Sequence, residues 1–353
     1  MTAAAALACA AAAACTRPPV QWDERQERRL PPPAISAASG APQAAADSVL
    51  LAAVRDLTRR APAGTATADS APRDPAGAAS TIAPPADADG RRCPASLRTA
   101  VARTVVARTA AGTAVAGGTG AAPGAGDDPH AGHVAAARAA AGAAPPNPSG
   151  AAAAVWWAAR PDGSAALYLS RTADAGRTWG PPLAVDTLDR SESGCDRPAP
   201  SVAIDAANGY LHVAYSMRAP EGPGVFYAHQ MDPRGPFERP QVIVYGDRPA
   251  ATSVASVGER VVVAYEDPNT GGRPFVSLAL SRTAGHSWAE RVPVSESNVA
   301  AEHPVVALRG PDEVVLGWVE RAAPRELATT DDPRAAVTAL PSGMVVRVGR
   351  LRE

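Results

Sequence analysis

Three charged pairs recur in the C-terminal half of the chain, each followed by proline: Asp196-Arg197, Asp247-Arg248 and Glu302-His303. A guanidinium can grip a carboxylate through two parallel hydrogen bonds, so repeated arginines at one place would suit a sialic or uronic acid. The same pairs equally suit an architectural task, capping strand ends and bridging neighbouring elements. A second set of charges, Arg160, Arg218, Glu266-Asp267 and Glu320-Arg321, lies between and around them. The two sets can act together only if the intervening segments repeat as one structural unit.

They do repeat. Ser201-Val202-Ala203 leads through Asn208-Gly209 to Leu211-His-Val213-Ala-Tyr215. Ser253-Val254-Ala255 leads through Gly258 to Val261-Val-Val263-Ala-Tyr265, and Val305-Val306-Ala307 through Gly310 to Val314-Val-Leu316-Gly-Trp318. The closing aromatics are 50 and 53 residues apart. Ala153-Ala-Val155-Trp-Trp157 is the same closing strand in an earlier unit. Each unit continues into a further hairpin, and unit four ends with Glu326 to Thr330 and then Met344 to Val348 as its last two strands. Four strands per unit, repeated at about 50 residues, mark an all-β β-propeller of four-stranded antiparallel blades. Four blades are visible, at roughly 94–187, 196–246, 250–295 and 301–351.

The turn between the third and fourth strands of the first unit is Thr172-Ala-Asp174-Ala-Gly176-Arg-Thr178-Trp179. Asp174 can accept hydrogen bonds from nearby backbone N–H groups, Gly176 can take a positive φ, and Trp179 supplies an apolar plate. A worn copy, Ser281-Arg-Thr283-Ala-Gly285-His-Ser287-Trp288, follows in the third unit, and a distorted one lies around Asp232. The turn resembles the Asp-box, or bacterial neuraminidase repeat, found in sialidases and in non-enzymatic propellers. The resemblance covers residues 151 to about 320 and speaks to fold far more than to activity.

In such a propeller the starts of the first strands and the ends of the second share one face, and the Asp-box turns lie on the other. The resemblance therefore gathers Asp196, Arg197, Asp247, Arg248, Glu266, Glu302 and His303 at the mouth of the central channel as a candidate ligand site. A sialidase of this type also implies an arginine triad, a Tyr/Glu nucleophile pair and an Asp acid/base, the tyrosine making it an exception among glycosidases. Here no Arg-Ile-Pro segment stands near the first blade; Arg29-Leu-Pro31 lies far upstream. No tyrosine follows Tyr265, whose place in a strand suits packing. The leading expectation is therefore a binding or scaffold module whose partner is an acidic glycan or a protein. Alternatives are a glycoside hydrolase acting on acidic sugars and a periplasmic assembly factor.

The formal net charge is −1, which leaves no strong field to recruit nucleic acid, and every basic residue is arginine. Residues 1–15 hold an Ala-rich run suited to an export signal. Ala12-Ala-Ala-Cys15 resembles a bacterial lipoprotein signal, which would make Cys15 the lipidated residue and a lipid anchor the only membrane attachment. Residues 16–92, rich in Pro, Ala and Gly, are expected to form a low-complexity tether. The exception is a short helix from Asp47 to Arg60 capped by Ser48, with Leu50, Val54 and Leu57 on one face. The propeller is expected over 93–353, interrupted by a low-complexity insertion at 109–150. Cys93 and Cys195 precede the first strands of adjacent units, and an exported chain would join them in a disulfide. In the insertion, Asp127, Asp128, His130 and His133 suit a solvated turn better than a metal site. No cofactor is expected.

Overall fold

The computed structural model describes residues 18–31, 42–59, 82–83, 85, 92–101 and 151–352, the last apart from 206–207, 234, 270–272, 290, 297–298 and 322–340. The insertion at 109–150, Cys15 and Glu326 to Thr330 lie outside the described residues. The described chain forms four antiparallel sheets of four strands each.

Blade 1 is β2 (Arg98–Val101), β3 (Ala152–Ala159), β4 (Ala165–Thr172) and β5 (Leu183–Asp186). Blade 2 is β6 (Ser201–Ile204), β7 (Leu211–Ala219), β8 (Gly222–Gln230) and β9 (Gln241–Tyr245). Blade 3 is β10 (Thr252–Val257), β11 (Arg260–Glu266), β12 (Val276–Ser281) and β13 (Arg291–Pro293). In blade 4, β14 (Ala300–Leu308) and β15 (Glu313–Arg321) are followed by β16 (Pro341–Leu351), and the outer strand is β1 (Val20–Leu30).

This last pairing corrects two expectations. Met344 to Val348 belongs to the third strand of its blade, pairing with β15, and not to the fourth. The fourth comes from inside the expected tether, with Val20 opposite Leu351 and Leu30 opposite Met344. Val20, Trp22 and Leu30 supply enough apolar surface to cover one edge of the sheet, so a stretch poor in large apolar residues still contributes a strand. Segments far apart in sequence, Val20–Leu30 and Pro341–Leu351, thus complete one blade together.

Successive side chains point to opposite faces, and the middle strands are apolar at consecutive positions, so every blade has two packing faces. Val155, Trp157 and Leu167 of blade 1 meet Val213, Tyr215 and Phe226 of blade 2. Tyr227 and Ala214 of blade 2 meet Val263 and Tyr265 of blade 3. Val262, Leu278 and Leu280 of blade 3 meet Leu316, Trp318 and Val345 of blade 4. The inner strands run side by side in the order β2, β6, β10, β14. A repeated serine secures this order, because an inner strand has a free edge whose N–H groups need partners. Val254 N donates to Ser201 Oγ at 2.7 Å, and one blade on, Val306 N donates to Ser253 Oγ at 3.0 Å.

Blade 4 breaks this serine pattern. Where blades 2 and 3 carry Ser201 and Ser253, it carries Val305, which packs against helix α1 (Pro42–Arg59). Leu50, Val54 and Leu57 of α1 lie on Val315, Val319, Met344 and Val346, the far face of blade 4. The apolar stripe of the expected helix is therefore correct. The helix begins at Pro42, however, so Ser48 lies inside it and is not its cap. Gly317 lets the helix approach: a Cβ there would stand 2.7 Å from Leu50 Cδ1. The far face of blade 1, with Trp156 and Tyr168, is packed by Ile82, Leu97 and Trp179. Segments within the expected tether thus cover the outer faces of both end blades.

Candidate functional site

Each expected charged pair precedes a proline, and in blade 4 the pair stands at a bulge in β14 between Glu302 and Val305. Several of the expected residues are spent on joining blades. Arg197 is the clearest case. Its Nη1 pairs with Asp189, its Nε donates to Gly194 O at 2.7 Å and its Nη2 to Gly163 O at 3.2 Å. Its guanidinium carbon stands 5.2 Å from the centre of the Trp157 ring, and the side chain is 5% exposed. All of these partners belong to blade 1 or to the connection leading into blade 2.

Glu266, at the end of β11, accepts from Ala251 N at 3.2 Å and from His303 N at 2.7 Å, bridging the starts of the inner strands of blades 3 and 4. His303 sits in the bulge between Glu302 and Val305 and has a positive φ of 54°, a conformation that non-glycine residues seldom adopt. Glu302 forms an ion pair with Arg321. Asp196, Asp247 and Arg248 are exposed. Arg160 donates weakly to Ser164 and Thr187, and Glu320 pairs with Arg29 at 3.0 Å. Tyr265 is fully buried, and burial pushes its hydroxyl up to about 12, the opposite of what a nucleophile needs. The Cys93–Cys195 disulfide forms as expected, with a Cα–Cα distance of 5.1 Å, and lies beside Arg197 at the blade 1–2 seam.

Two buried carboxylates of this seam escape a reading of charged pairs. Asp186 closes β5, and Asp189 follows it in the loop. Tyr215 Oη donates to Asp186 Oδ2 at 2.6 Å, and Leu188 N to Asp186 Oδ1 at 2.8 Å. Burial pushes the Asp186 carboxyl up from its ordinary value, and the Tyr215 hydrogen bond opposes that rise. Asp189 also accepts from Ala165 N and Arg218 N.

The Asp174 turn lies on the opposite face and forms as its residues demand. Asp174 Oδ1 accepts from Thr178 N at 2.9 Å and from Thr172 Oγ1 at 2.6 Å, and Oδ2 accepts from Thr178 Oγ1 at 2.7 Å. Gly176 has φ 87°. In the worn copy the Thr283 hydroxyl replaces the carboxylate, accepting from Ser287 N at 2.9 Å, while Ser281 Oγ accepts from Gly285 N at 2.9 Å. Trp179 packs within blade 1, and Trp288 stands edge-on to Tyr227 at 4.7 Å.

On that same face stands a cluster that the sequence reading missed. His229 at the end of β8, Glu238 in the loop after it and His286 in the worn turn bring ligand-type atoms within 4.8 Å of one another. Burial, the main cause, pushes His229 down to about 4 against the pull of Glu238, and its neighbour His212 to about 3. Both imidazoles are neutral at neutral pH. The three residues come from two blades and share no local spacing. The sequence signal was the histidine between Gly285 and Ser287, the turn position occupied by Arg177 in the first copy.

No family model and no curated protein matches this chain in sequence. Solved structures show a partial likeness to it. One is a protein of unknown function from Dyadobacter fermentans, 12% identical, covering 57% of this chain and 51% of its own, with a TM-score of 0.39. Another is an α-L-arabinofuranosidase from Fusarium graminearum, 13% identical, covering 52% and 56%, with a TM-score of 0.36. A third is a sialidase from Trypanosoma rangeli, 15% identical, covering 50% and 33%, with a TM-score of 0.37. The chain spans about half the length of the first two. It is a β-propeller on the strength of its own four sheets. Among the described residues no helix is long and apolar enough to cross a membrane.

Proposed function

We propose that the chain is an exported Asp-box propeller that works as a binding or scaffold module. The observation that carries this reading is the state of Arg197. Every nitrogen of its guanidinium already has a partner within the fold, and the side chain is almost closed to solvent. A group held in this way ties blade 1 to the connection into blade 2, and its near-complete burial keeps it from a substrate carboxylate. Glu266 is committed in the same manner. Asp196, Asp247 and Arg248 are exposed, and in this reading they form a polar rim that meets an acidic glycan or a protein surface. The disulfide favours an oxidising compartment, and the Ala-rich N-terminus with Cys15 favours export with a lipid anchor.

The test is to incubate the purified chain with a fluorogenic sialoside and, in parallel, on an array of acidic and neutral glycans. Retention on acidic glycans without turnover, weakened by Arg248→Ala, is the expected result. Turnover would replace this reading with the hydrolase. No retention on any glycan would move the partner to protein and favour an assembly role. Membrane fractionation of the chain and of Cys15→Ser, expressed with the native N-terminus in a bacterial host, tests the anchor. Loss of membrane association in the variant is expected, and an unchanged distribution would overturn it.

A further inference from the structure

We infer that His229, Glu238 and His286 form a binding site for a divalent transition-metal ion of the Zn2+ type, which clips blade 2 to blade 3 on the face opposite the mouth. His229 Nε2 lies 3.3 Å from Glu238 Oε2, and His286 Nδ1 lies 3.7 Å from the same oxygen. A tetrahedral Zn2+ with bonds of about 2.0–2.2 Å separates its ligands by roughly 3.3–3.5 Å. The two histidine–glutamate separations already lie close to that spacing, and the two imidazoles, within 4.8 Å, close on the ion by side-chain rotation.

The second observation is an unsatisfied buried group. His229 is 1% exposed, its Nδ1 has no hydrogen-bond partner, and its Nε2 has only the long 3.3 Å approach to Glu238 Oε2. Burying an unpaired imidazole carries a cost that a metal bond to Nε2 would remove. Two imidazoles and one carboxylate favour Zn2+ and its first-row neighbours over Mg2+ or Ca2+, which prefer oxygen ligands alone. Glu238 is 45% exposed, which leaves the solvent side open for water as a fourth ligand. His286 keeps its other nitrogen on Met231 Sδ at 3.1 Å.

The positioning is also built in. Gly285 of the worn turn lies so close to blade 2 that a Cβ there would overlap the Tyr227 hydroxyl at 1.9 Å. Trp288 and Ala284 also rest on Tyr227. This packing fixes the turn against blade 2 and sets His286 edge-on to His229, with ring centres 4.8 Å apart. The site thus spans the seam between two blades, where a bound ion would hold them together.

The chain stripped of metal by chelation and titrated with Zn2+ by calorimetry is expected to bind one ion, with a rise in melting temperature. His286→Asn and Glu238→Gln, both reaching the surface and so compatible with folding, are expected to weaken binding at least ten-fold and to abolish the thermal shift. His130→Ala/His133→Ala is expected to bind as the parent does. Replacement by Co2+ should give visible absorption bands of nitrogen and oxygen ligation in the parent and lose them in His286→Asn. Binding retained in both single variants, lost in the His130/His133 double variant or absent from the parent would overturn the site.

Discussion

Tyr215 Oη donates to Asp186 Oδ2 at 2.6 Å across the seam between blades 1 and 2, with both side chains buried. A buried carboxylate is costly unless it is hydrogen-bonded, and this one has the Tyr215 hydroxyl and Leu188 N as donors. Its folded-state pKa is raised above the ordinary value of 3.8, chiefly by burial. The sign follows: stability associated with Asp186 is highest below its unfolded value and falls as pH rises through the folded value. Tyr215→Phe keeps the ring contacts to Trp157 and Phe226 but removes the donor that supports the ionised form. It should cost about 1.5–3 kcal/mol at pH 8 and clearly less near pH 4. Urea unfolding of both proteins across that range checks it, and a pH-independent loss would refute the coupling.

The Cys93–Cys195 bridge closes a span of 102 residues that contains the whole 109–150 insertion. In the chain-entropy model a loop of about 100 residues is worth roughly 4.7 kcal/mol. Cys93→Ser/Cys195→Ser should therefore lower unfolding stability by about 3–5 kcal/mol, since removal of a native bridge costs about 2–5 kcal/mol in small secreted domains. Denaturant unfolding with and without reductant gives the number. A double variant as stable as the oxidised parent would remove the bridge from the account of how blades 1 and 2 hold together.

Asp174 lies in the reverse situation. Hydrogen bonds from Thr172 and Thr178 depress its carboxyl far below the ordinary value of 3.8. Its stabilising contribution is therefore complete above that ordinary value and is lost as pH falls toward the depressed one. Asp174→Asn should lower the melting temperature at pH 7, and the gap between variant and parent should narrow as pH is taken below about 4. Parallel melting curves at the two ends of the range would show the same gap if the carboxylate charge were irrelevant. The third blade already carries a natural version of this change, with the Thr283 hydroxyl in place of the carboxylate.

The turn residues, the repeat and the disulfide were legible because each rests on local chemistry or on a register that recurs. Gly176 and Asp174 can do only a few things in a chain, and Tyr215, Tyr265 and Trp318 announce the period. Strand β1 was not legible, because Val20–Leu30 is mostly polar and its partner lies at the other end of the sequence. Long-range pairing of an edge strand leaves little local trace. At the mouth, residue types were informative about charge but silent on commitment. Asp196-Arg197 and Asp247-Arg248 look alike as dipeptides, yet Arg197 is sealed between Asp189 and Trp157 while Arg248 is exposed. The difference is the buried Asp189, eight residues from Arg197 and outside the repeated pattern.

Helix α1 occupies the face of blade 4 where a further blade would pack, and Gly317 is the residue that permits it. A side chain at 317 meets Leu50 and Val54 at 2.7 and 3.0 Å, inside van der Waals contact. Gly317→Val must therefore displace either the helix or strand β15. The helix is the weaker partner, because it is held by one apolar stripe and β15 by two flanking strands. The variant should lose about 1–3 kcal/mol, the usual cost of overpacking. Amide exchange should accelerate across Leu50 to Leu57 while β15 and β16 keep their protection. Leu50→Ala/Gly317→Val, which makes room for the new methyl groups, should recover part of the protection. Unchanged exchange in the single variant would mean that the helix does not depend on the glycine gap. Loss of protection throughout blade 4 would mean that α1 and the sheet unfold as one unit and that the helix is integral to the blade.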